Sequence, residues 1–474
     1  MIRNFRYVFR NSRPAKLASA GAVTFALGGS FWAYRAQHSD CDAQSSPKSD
    51  NTTTQQPRKF QINLESVPPI DINEILQRHE QSHRPLPASG ISRYDVAMTE
   101  SNNPSEDDHA EAVLPVPNGF WGLFAVLDGH SGWETSAWLR ENLISAVSGS
   151  LADLYSKYRS NDSTPHSTDH DPPPGEVDDN IKQTFQRLDD DIIREPLEKV
   201  FSTPSRHAAV NLLAAARAGS CALLAFYESP TRLLRIALTG DSRAVLGRRK
   251  PTADGGHTYE VHVLSVEQDG HNPSEAARLK EEHPDEEDVV KNGRVVGMGV
   301  ARAFGDAQFK WALDLQKKLL WKYLGNYIYP NIKTPPYLTA VPEVTTIKVE
   351  PGDFLILGTD GLWECLSSEQ AVGLTGLWVD SKQPGFKPTE TGRWLPSELP
   401  VENSGEVKVR YRQWCAAESM AFINVDSNAA THLVRNALGG ADADLTAALL
   451  SLRSPRSRTW MDDITAVVVF FDDT

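Results

Sequence analysis

The sequence predicts an α+β fold, a sandwich of two antiparallel β-sheets flanked by α-helices. Three observations point to it. The strand-like segments are short, continuous apolar runs, as expected of strands covered on both faces. The helical patterns fall in two long blocks and do not alternate with the strands, which argues against a βαβ repeat. Two of the runs are joined by a turn tight enough to hold them antiparallel.

The first run is Trp121 to Leu127 (WGLFAVL), which stops at Asp-Gly. Asp-Gly is a turn signal, so the run reads as a buried strand with a sharp end. Helical periodicity follows over about Trp133 to Tyr158, and again over about Ile181 to Val200. Between them Ser160 to Asp179 is polar, holds Pro172-Pro173-Pro174, and reads as a solvated loop. His166 and His170 stand four apart there beside acids. That spacing suits a metal only on a helix, and the prolines argue against one. Cys221 to Tyr227 (CALLAFY) is the next buried strand. Leu233 to Leu238, the turn Thr239-Gly240-Asp241-Ser242 and Ala244 to Leu246 read as a hairpin. Val261 to Val266, Phe354 to Leu357 and the β-branched run Ile464 to Phe471 complete the set.

The 474 residues divide into three parts. Residues 1–39 contain no acid; Arg3, Arg6, Arg10, Arg13 and Lys16 recur every three or four positions, and Ile2, Phe5 and Phe9 keep a similar interval. A helix there has one basic and one apolar face, the pattern of a mitochondrial presequence, assigned to residues 1–38. Leu17 to Tyr34 carries no charge over eighteen residues. As a helix it would rise about 27 Å, close to the ~30 Å hydrocarbon core of a bilayer. Its glycines, serines and threonine make it only weakly apolar, so a membrane anchor and a longer cleavable leader both stand. Residues 39–90 are a polar linker and entry segment. Residues 91–474 are the catalytic part, with insertions near 160–179 and 375–424.

Composition excludes some functions. Forty-eight Lys and Arg against sixty-two Asp and Glu give a net charge of −14. Broad contact with a nucleic-acid backbone needs the opposite sign. The four cysteines, Cys41, Cys221, Cys365 and Cys415, lie far apart with no CxxC pair, so neither a disulfide scaffold nor a zinc ribbon fits.

Acids at strand ends carry the chemistry. Asp128-Gly129-His130 follows Leu127, Asp241 follows Thr239-Gly240, Asp360-Gly361 follows Thr359, Asp462-Asp463 precedes the last strand, and Glu106-Asp107 precedes the first run. One Asp-Gly is an ordinary turn. Five acidic sites at the ends of apolar runs suggest carboxylates held for metal binding. Hard oxygen ligands without a Cys or His set suit Mg²⁺ or Mn²⁺.

The segment Phe124-Ala-Val-Leu-Asp128-Gly129-His130-Ser-Gly132 resembles the metal-binding signature of the protein phosphatase 2C family. Further matches follow in family order: Ala218 to Ala222, Gly240-Asp-Ser-Arg243, Gly299 to Asp306, Thr359-Asp-Gly-Leu-Trp363 and Asp462-Asp-Ile-Thr465. Within the family the segments Glu100 to Asp107, Ala303 to Lys317 and Thr334 to Val344 are similar to the pyruvate dehydrogenase phosphatases. The resemblance covers about Ile91 to Asp472. It implies a two-metal site at one edge of the sandwich, holding Mg²⁺ or Mn²⁺ with a weaker third ion. It places Asp128 as the bridging carboxylate and Gly129 as a carbonyl ligand. Asp360 and Asp462 complete the pair, and Asp241 serves the third ion. Glu106 and Asp107 hold metal-bound water, and His130 is the general acid.

Three residues depart from the family pattern. Asn102 stands where many members have a phosphate-gripping arginine, and a neutral amide cannot make that charge-assisted contact. Pyruvate dehydrogenase phosphatases share the asparagine. Glu364 replaces a common Asp. Asp463 replaces the usual Asn, which leaves two adjacent acids for one ligand position. A Trp-rich polar insertion over about Thr375 to Asn424, with Trp378, Trp394 and Trp414, reads either as a docking surface or as an elaborate loop. Gly293 to Gly299 lacks the GxxxxGK[ST] spacing of a nucleotide loop.

The expectation is a metal-dependent serine/threonine phosphatase of the mitochondrial matrix or inner membrane. It would act on the phosphorylated pyruvate dehydrogenase component, with the dihydrolipoyl acetyltransferase core as a further partner and no nucleic acid. Another mitochondrial phosphoprotein is the runner-up substrate. A catalytically silent scaffold is the alternative from another class, and the complete acid set argues against it.

Overall fold

The computed structural model describes residues 70–160, 171–203, 205–253, 255–402 and 420–472. The N-terminal basic segment, residues 17–34, His166, His170 and Trp414 lie outside the described residues. Among those described, no helix is long and apolar enough to cross a membrane.

Eleven strands build two antiparallel sheets. Sheet one contains β1 (Gln81–His83), β2 (Ile91–Thr99), β7 (Arg243–Pro251), β8 (His257–Val263), β10 (Phe354–Gly358) and β11 (Ile464–Phe471). Its order is β1-β2-β11-β10-β7-β8. Sheet two contains β3 (Asp108–Val116), β4 (Gly119–Leu127), β5 (Ala222–Glu228), β6 (Leu233–Thr239) and β9 (Glu343–Lys348), in the order β9-β6-β5-β4-β3. Sheet one therefore begins inside the segment read from sequence as entry to the catalytic part.

The unbroken apolar runs have a simple cause: both faces of each sheet are covered. Phe124 and Val126 of β4 meet Leu355, Leu357, Val467 and Val469 in the centre of the sandwich. The alternate residues Leu123, Ala125 and Leu127 point the other way, onto α1 (Glu134–Ser160) and α2 (Pro174–Ile193). On sheet one, Ile464, Ala466 and Val468 pack under α3 (Ser368–Asp380) and α4 (Ala429–Ala437). A strand with no solvated face needs no polar alternation, and each Val or Leu so buried contributes about 1.5–3 kcal/mol.

Three sequence expectations are corrected. Leu233 to Leu238 and Ala244 to Leu246 do not form a hairpin: β6 pairs with β5 and β9 in sheet two, whereas β7 pairs with β8 and β10 in sheet one, so the Gly240-Asp241 turn carries the chain from one sheet to the other. The loop expected through Asp179 ends early, because α2 starts at Pro174. Proline suits the first helical position, where its missing N–H leaves no bond unmade. Val177, Ile181, Phe185, Leu188 and Ile192 then bury one stripe. The pattern read as one helix to Val200 is two, since Glu195–Ser202 is a separate helix. Part of the Trp-rich insertion is core. Residues 375–380 belong to α3, and Trp378 and Trp394 are buried in the layer outside sheet one. Trp378 stacks on Phe470, and its Nε1 donates to the Asp426 carbonyl at 2.9 Å.

The strand ends meet at one edge. Asp108 at the start of β3 lies opposite Leu127 at the end of β4. Gly358 at the end of β10 lies opposite both Arg243 at the start of β7 and Ala466 near the start of β11. At the same edge a small sheet joins Gly129-His130, Gly219-Ser220 and Phe304-Gly305.

Candidate metal centre

Three of the expected acids form one cluster. Asp128 follows β4, Asp241 lies in the β6–β7 turn and Asp360 opens a short helix after β10. One carboxylate oxygen from each lies within 4.8 Å of the others. The Asp360 N–H donates to Asp128 Oδ2 at 3.2 Å. Burial pushes the Asp128 and Asp360 carboxyls well above the usual range, with the charges of Asp107 and Asp241 adding to Asp128 and those of Asp128 and Asp241 adding to Asp360. Burial also raises Asp241, while the Cys221 thiol, donating to Asp241 Oδ1 at 3.2 Å, works against that rise. Such an arrangement is costly unless a cation sits among the oxygens.

Asp107 lies behind this cluster. It is buried, and its Oδ2 accepts from Thr359 Oγ1 and Thr465 Oγ1, both at 2.8 Å. Burial raises its pKa, with Asp463 adding to the effect. Glu106 is tied on both oxygens: Oε1 accepts from the Gly132 N–H at 2.6 Å and Oε2 from Asn102 Nδ2 at 2.8 Å. A Cβ at Gly129 would stand 2.0 Å from the Glu106 carbonyl oxygen, so only glycine lets these two segments pass.

The adjacent acids before β11 separate into two roles. Asp463 is buried and organises the loop ahead of β3. It accepts from the Ser101 N–H at 2.6 Å, the Asn102 N–H at 2.9 Å and the Glu106 N–H at 2.8 Å. Asp462 is not in the three-carboxylate cluster; it pairs with Arg458. The Arg458 guanidinium also reaches toward Glu106, 3.9 Å from Oε2, so a partly exposed cation stands at the mouth of an acidic site. Sequence reading missed Arg458 because nothing local marks it.

His130 is held from a distant segment. Its Nε2 lies 2.6 Å from Asp306 Oδ2. Burial alone would lower the imidazole pKa, but Asp306, with Asp241 and Glu106 beyond it, raises it. Asp306 belongs to a quoted motif yet received no role from the sequence. It adopts a left-handed backbone at φ 47°, and its N–H donates to the Ala218 carbonyl at 2.8 Å. Beneath it Asp189 bonds the Gly305 N–H at 2.9 Å and pairs with Lys310 at 2.7 Å. Gly219 makes the space: a Cβ there would lie 2.1 Å from His130 Nε2 and 2.4 Å from Asp306 Oδ2. Gly219→Ala should therefore lower kcat with little change in KM, because it displaces the His130–Asp306 pair and not the carboxylate cluster. Steady-state kinetics on one phosphoserine peptide checks this.

The donor set fits a hard divalent cation. The cluster offers oxygens only, and the nearby Cys221 thiol is held protonated by burial. Among the described residues no other group of three His, Cys, Asp or Glu side chains converges in this way.

The chain is similar to known proteins. The family model for protein phosphatase 2C matches residues 95–393. A protein phosphatase 2C homolog of Schizosaccharomyces pombe is 39% identical over 419 residues, 87% of this chain and 88% of that one. The mitochondrial [pyruvate dehydrogenase [acetyl-transferring]]-phosphatase 1 of Saccharomyces cerevisiae is 35% identical over 461 residues, 90% of this chain and 77% of its own. The human protein of the same name is 31% identical over 487 residues, covering 88% and 84%. With the family model spanning well over half its length and relatives above 30% identity along most of it, the chain belongs to the protein phosphatase 2C family.

Proposed function

We propose that the chain is a mitochondrial, divalent-cation-dependent serine/threonine protein phosphatase that dephosphorylates and so reactivates the pyruvate dehydrogenase component. The observation that carries the phosphatase reading is the Asp128–Asp241–Asp360 cluster beside the His130–Asp306 pair. The choice of substrate is supported by the names of the relatives at 31–35% identity. The acid-free basic N-terminus supports the compartment.

In this reading Asp128, Gly129, Asp360 and Asp462 would hold two Mg²⁺ or Mn²⁺ ions, and Asp241 would serve a weaker third. Such ions supply a water of lowered pKa and neutralise phosphoryl oxygens. The chain's own residues do the rest. Glu106 and Asp107 orient bound water. His130 donates a proton to the departing serine or threonine oxygen. Asp306 aims the ring and keeps that proton on it. Arg458 supplies the cation that Asn102 cannot, since the Asn102 amide is already committed to Glu106 and Asp463.

Arg458→Ala should raise KM for phosphate esters about tenfold, the value of one charge-assisted contact. Inhibition by inorganic phosphate should weaken in step, with the Mg²⁺ requirement unchanged. A shifted Mg²⁺ requirement with unchanged phosphate inhibition would leave Arg458 only as a brace for Asp462.

The function itself is tested by phosphate release from phosphorylated pyruvate dehydrogenase and from other mitochondrial phosphoproteins, with and without Mg²⁺ or Mn²⁺. Cation-dependent release, fastest from the dehydrogenase, is expected. Equal rates on all substrates would remove the substrate assignment, and no release from any would favour a silent scaffold.

A further inference from the structure

The chain as a whole is acidic, at −14, yet residues 313–333 hold Lys317, Lys318, Lys322 and Lys333 against the single acid Asp314. Among the described residues only Lys317 of these forms an ion pair, with Asp314 at 3.4 Å. The same stretch exposes its aromatic and apolar side chains: Trp321 is 80% exposed, Leu324 62% and Tyr327 66%. Large apolar side chains grouped on a surface and rimmed by charge mark an interaction site.

Beside them is a cleft lined by Arg217, Gln308, Trp311, Gln316, Leu319 and Asn326. Arg217 is half-buried there, donating Nη2 to the Tyr323 carbonyl at 3.2 Å, and burial lowers its pKa. Among the described residues no carboxylate pairs with it. A partly buried guanidinium without a counter-charge is costly, and a carboxylate is the group its planar fork fits best. Gln308 accepts from Asn326 Nδ2 at 3.4 Å, so side-chain amides join the guanidinium on the wall.

The cleft adjoins the catalytic pair. Arg217 ends the short helix Ala214–Arg217, and the next two residues accept the Asp306 N–H and pair with His130. Gln308 is two residues beyond Asp306.

We propose that the Arg217 cleft and its lysine and aromatic rim dock an acidic stretch of the phosphoprotein substrate, with a side-chain carboxylate entering beside Arg217. This rests on the phosphatase reading above and names what the site selects. A concave wall beside an exposed aromatic rim suits a peptide better than a flat lipid surface, and the complementary charge is negative.

The test uses the full chain with Mn²⁺ and three substrates: para-nitrophenyl phosphate, a phosphoserine peptide rich in Asp and Glu, and the same peptide with those residues changed to Asn and Gln. Binding of the fluorescein-labelled peptides by anisotropy is read beside turnover, so a chain that turns nothing over still reports docking. The wild type should prefer the acidic peptide. Arg217→Gln and Lys322→Glu should each lose about tenfold in kcat/KM on that peptide alone. Arg217→Lys should recover part of the loss, and para-nitrophenyl phosphate should be unaffected. Equal losses on all three substrates would make Arg217 structural and overturn the proposal. So would no acidic preference in a chain that still cleaves the aryl ester. If Lys322→Glu instead abolishes cosedimentation with phosphatidylserine vesicles and leaves peptide preference intact, the face is a membrane surface and the proposal fails.

Discussion

Asp128→Asn should abolish phosphatase activity while leaving the fold intact. A loss of about 10²–10³-fold or more is expected, the scale for removing a main electrostatic stabiliser of a transition state. The amide is nearly isosteric but carries no charge for a cation. Stability should change in the opposite sense. The Asp128 and Asp360 carboxyls have raised pKa values in the folded chain, so the folded state binds protons more tightly there than the unfolded state does. Their contribution to stability therefore falls as pH rises above the ordinary carboxylate range toward the raised values. Without divalent cations, Asp128→Asn should melt above the wild type, and the gap should widen with pH through that window. Added Mg²⁺ should close the gap by stabilising the wild type alone. Thermal melts at several pH values, with and without chelator, check both signs, and near-normal turnover by a folded Asp128→Asn protein would remove the metal assignment.

His130→Ala should lower turnover of a phosphoserine peptide by about 10²–10⁴-fold, the usual contribution of a general acid. An aryl phosphate should suffer far less, because its leaving group departs without a proton. Asp306→Asn should follow the same pattern at smaller amplitude, since the imidazole remains but loses the carboxylate at 2.6 Å that orients it. Equal losses on both ester types would make the histidine structural.

The sandwich was readable wherever a strand is buried on both faces. β4, β5, β10 and β11 each show as an unbroken apolar run because no side of them is wet. β3 and β9 close the two edges of sheet two; β3 is only partly buried along most of its length and β9 is mostly exposed. Their mixed composition carries no periodic signal, so they escape notice. β2 escapes for another reason: it buries Asp95, whose carboxylate accepts from the Ala429 N–H at 2.7 Å. A residue 334 positions away supplies that bond, and no local pattern announces it. The candidate site divides similarly. The acids at strand ends are visible because Asp-Gly interrupts apolar runs. Asp306 and Arg458 are not, since each gains its meaning only from a partner brought by the fold. The two adjacent acids Asp462 and Asp463 look alike in the sequence, and only the fold shows that Asp463 bonds the loop from Ser101 to Glu106 while Asp462 pairs with Arg458.

Of the strands described, β11 is synthesised last, yet it lies in the interior of sheet one between β2 and β10. Its neighbours wait for it with unpaired backbone groups on their facing edges. A chain released by a stop codon at or before Asp462 lacks both that strand and the acids that lead into it, so it cannot close the sheet or assemble the carboxylate edge. Until β11 emerges from the ribosome, the sandwich has no complete fold to adopt. Closure of sheet one and of the carboxylate edge therefore depends on the chain having been made through β11, since no shorter fragment holds both.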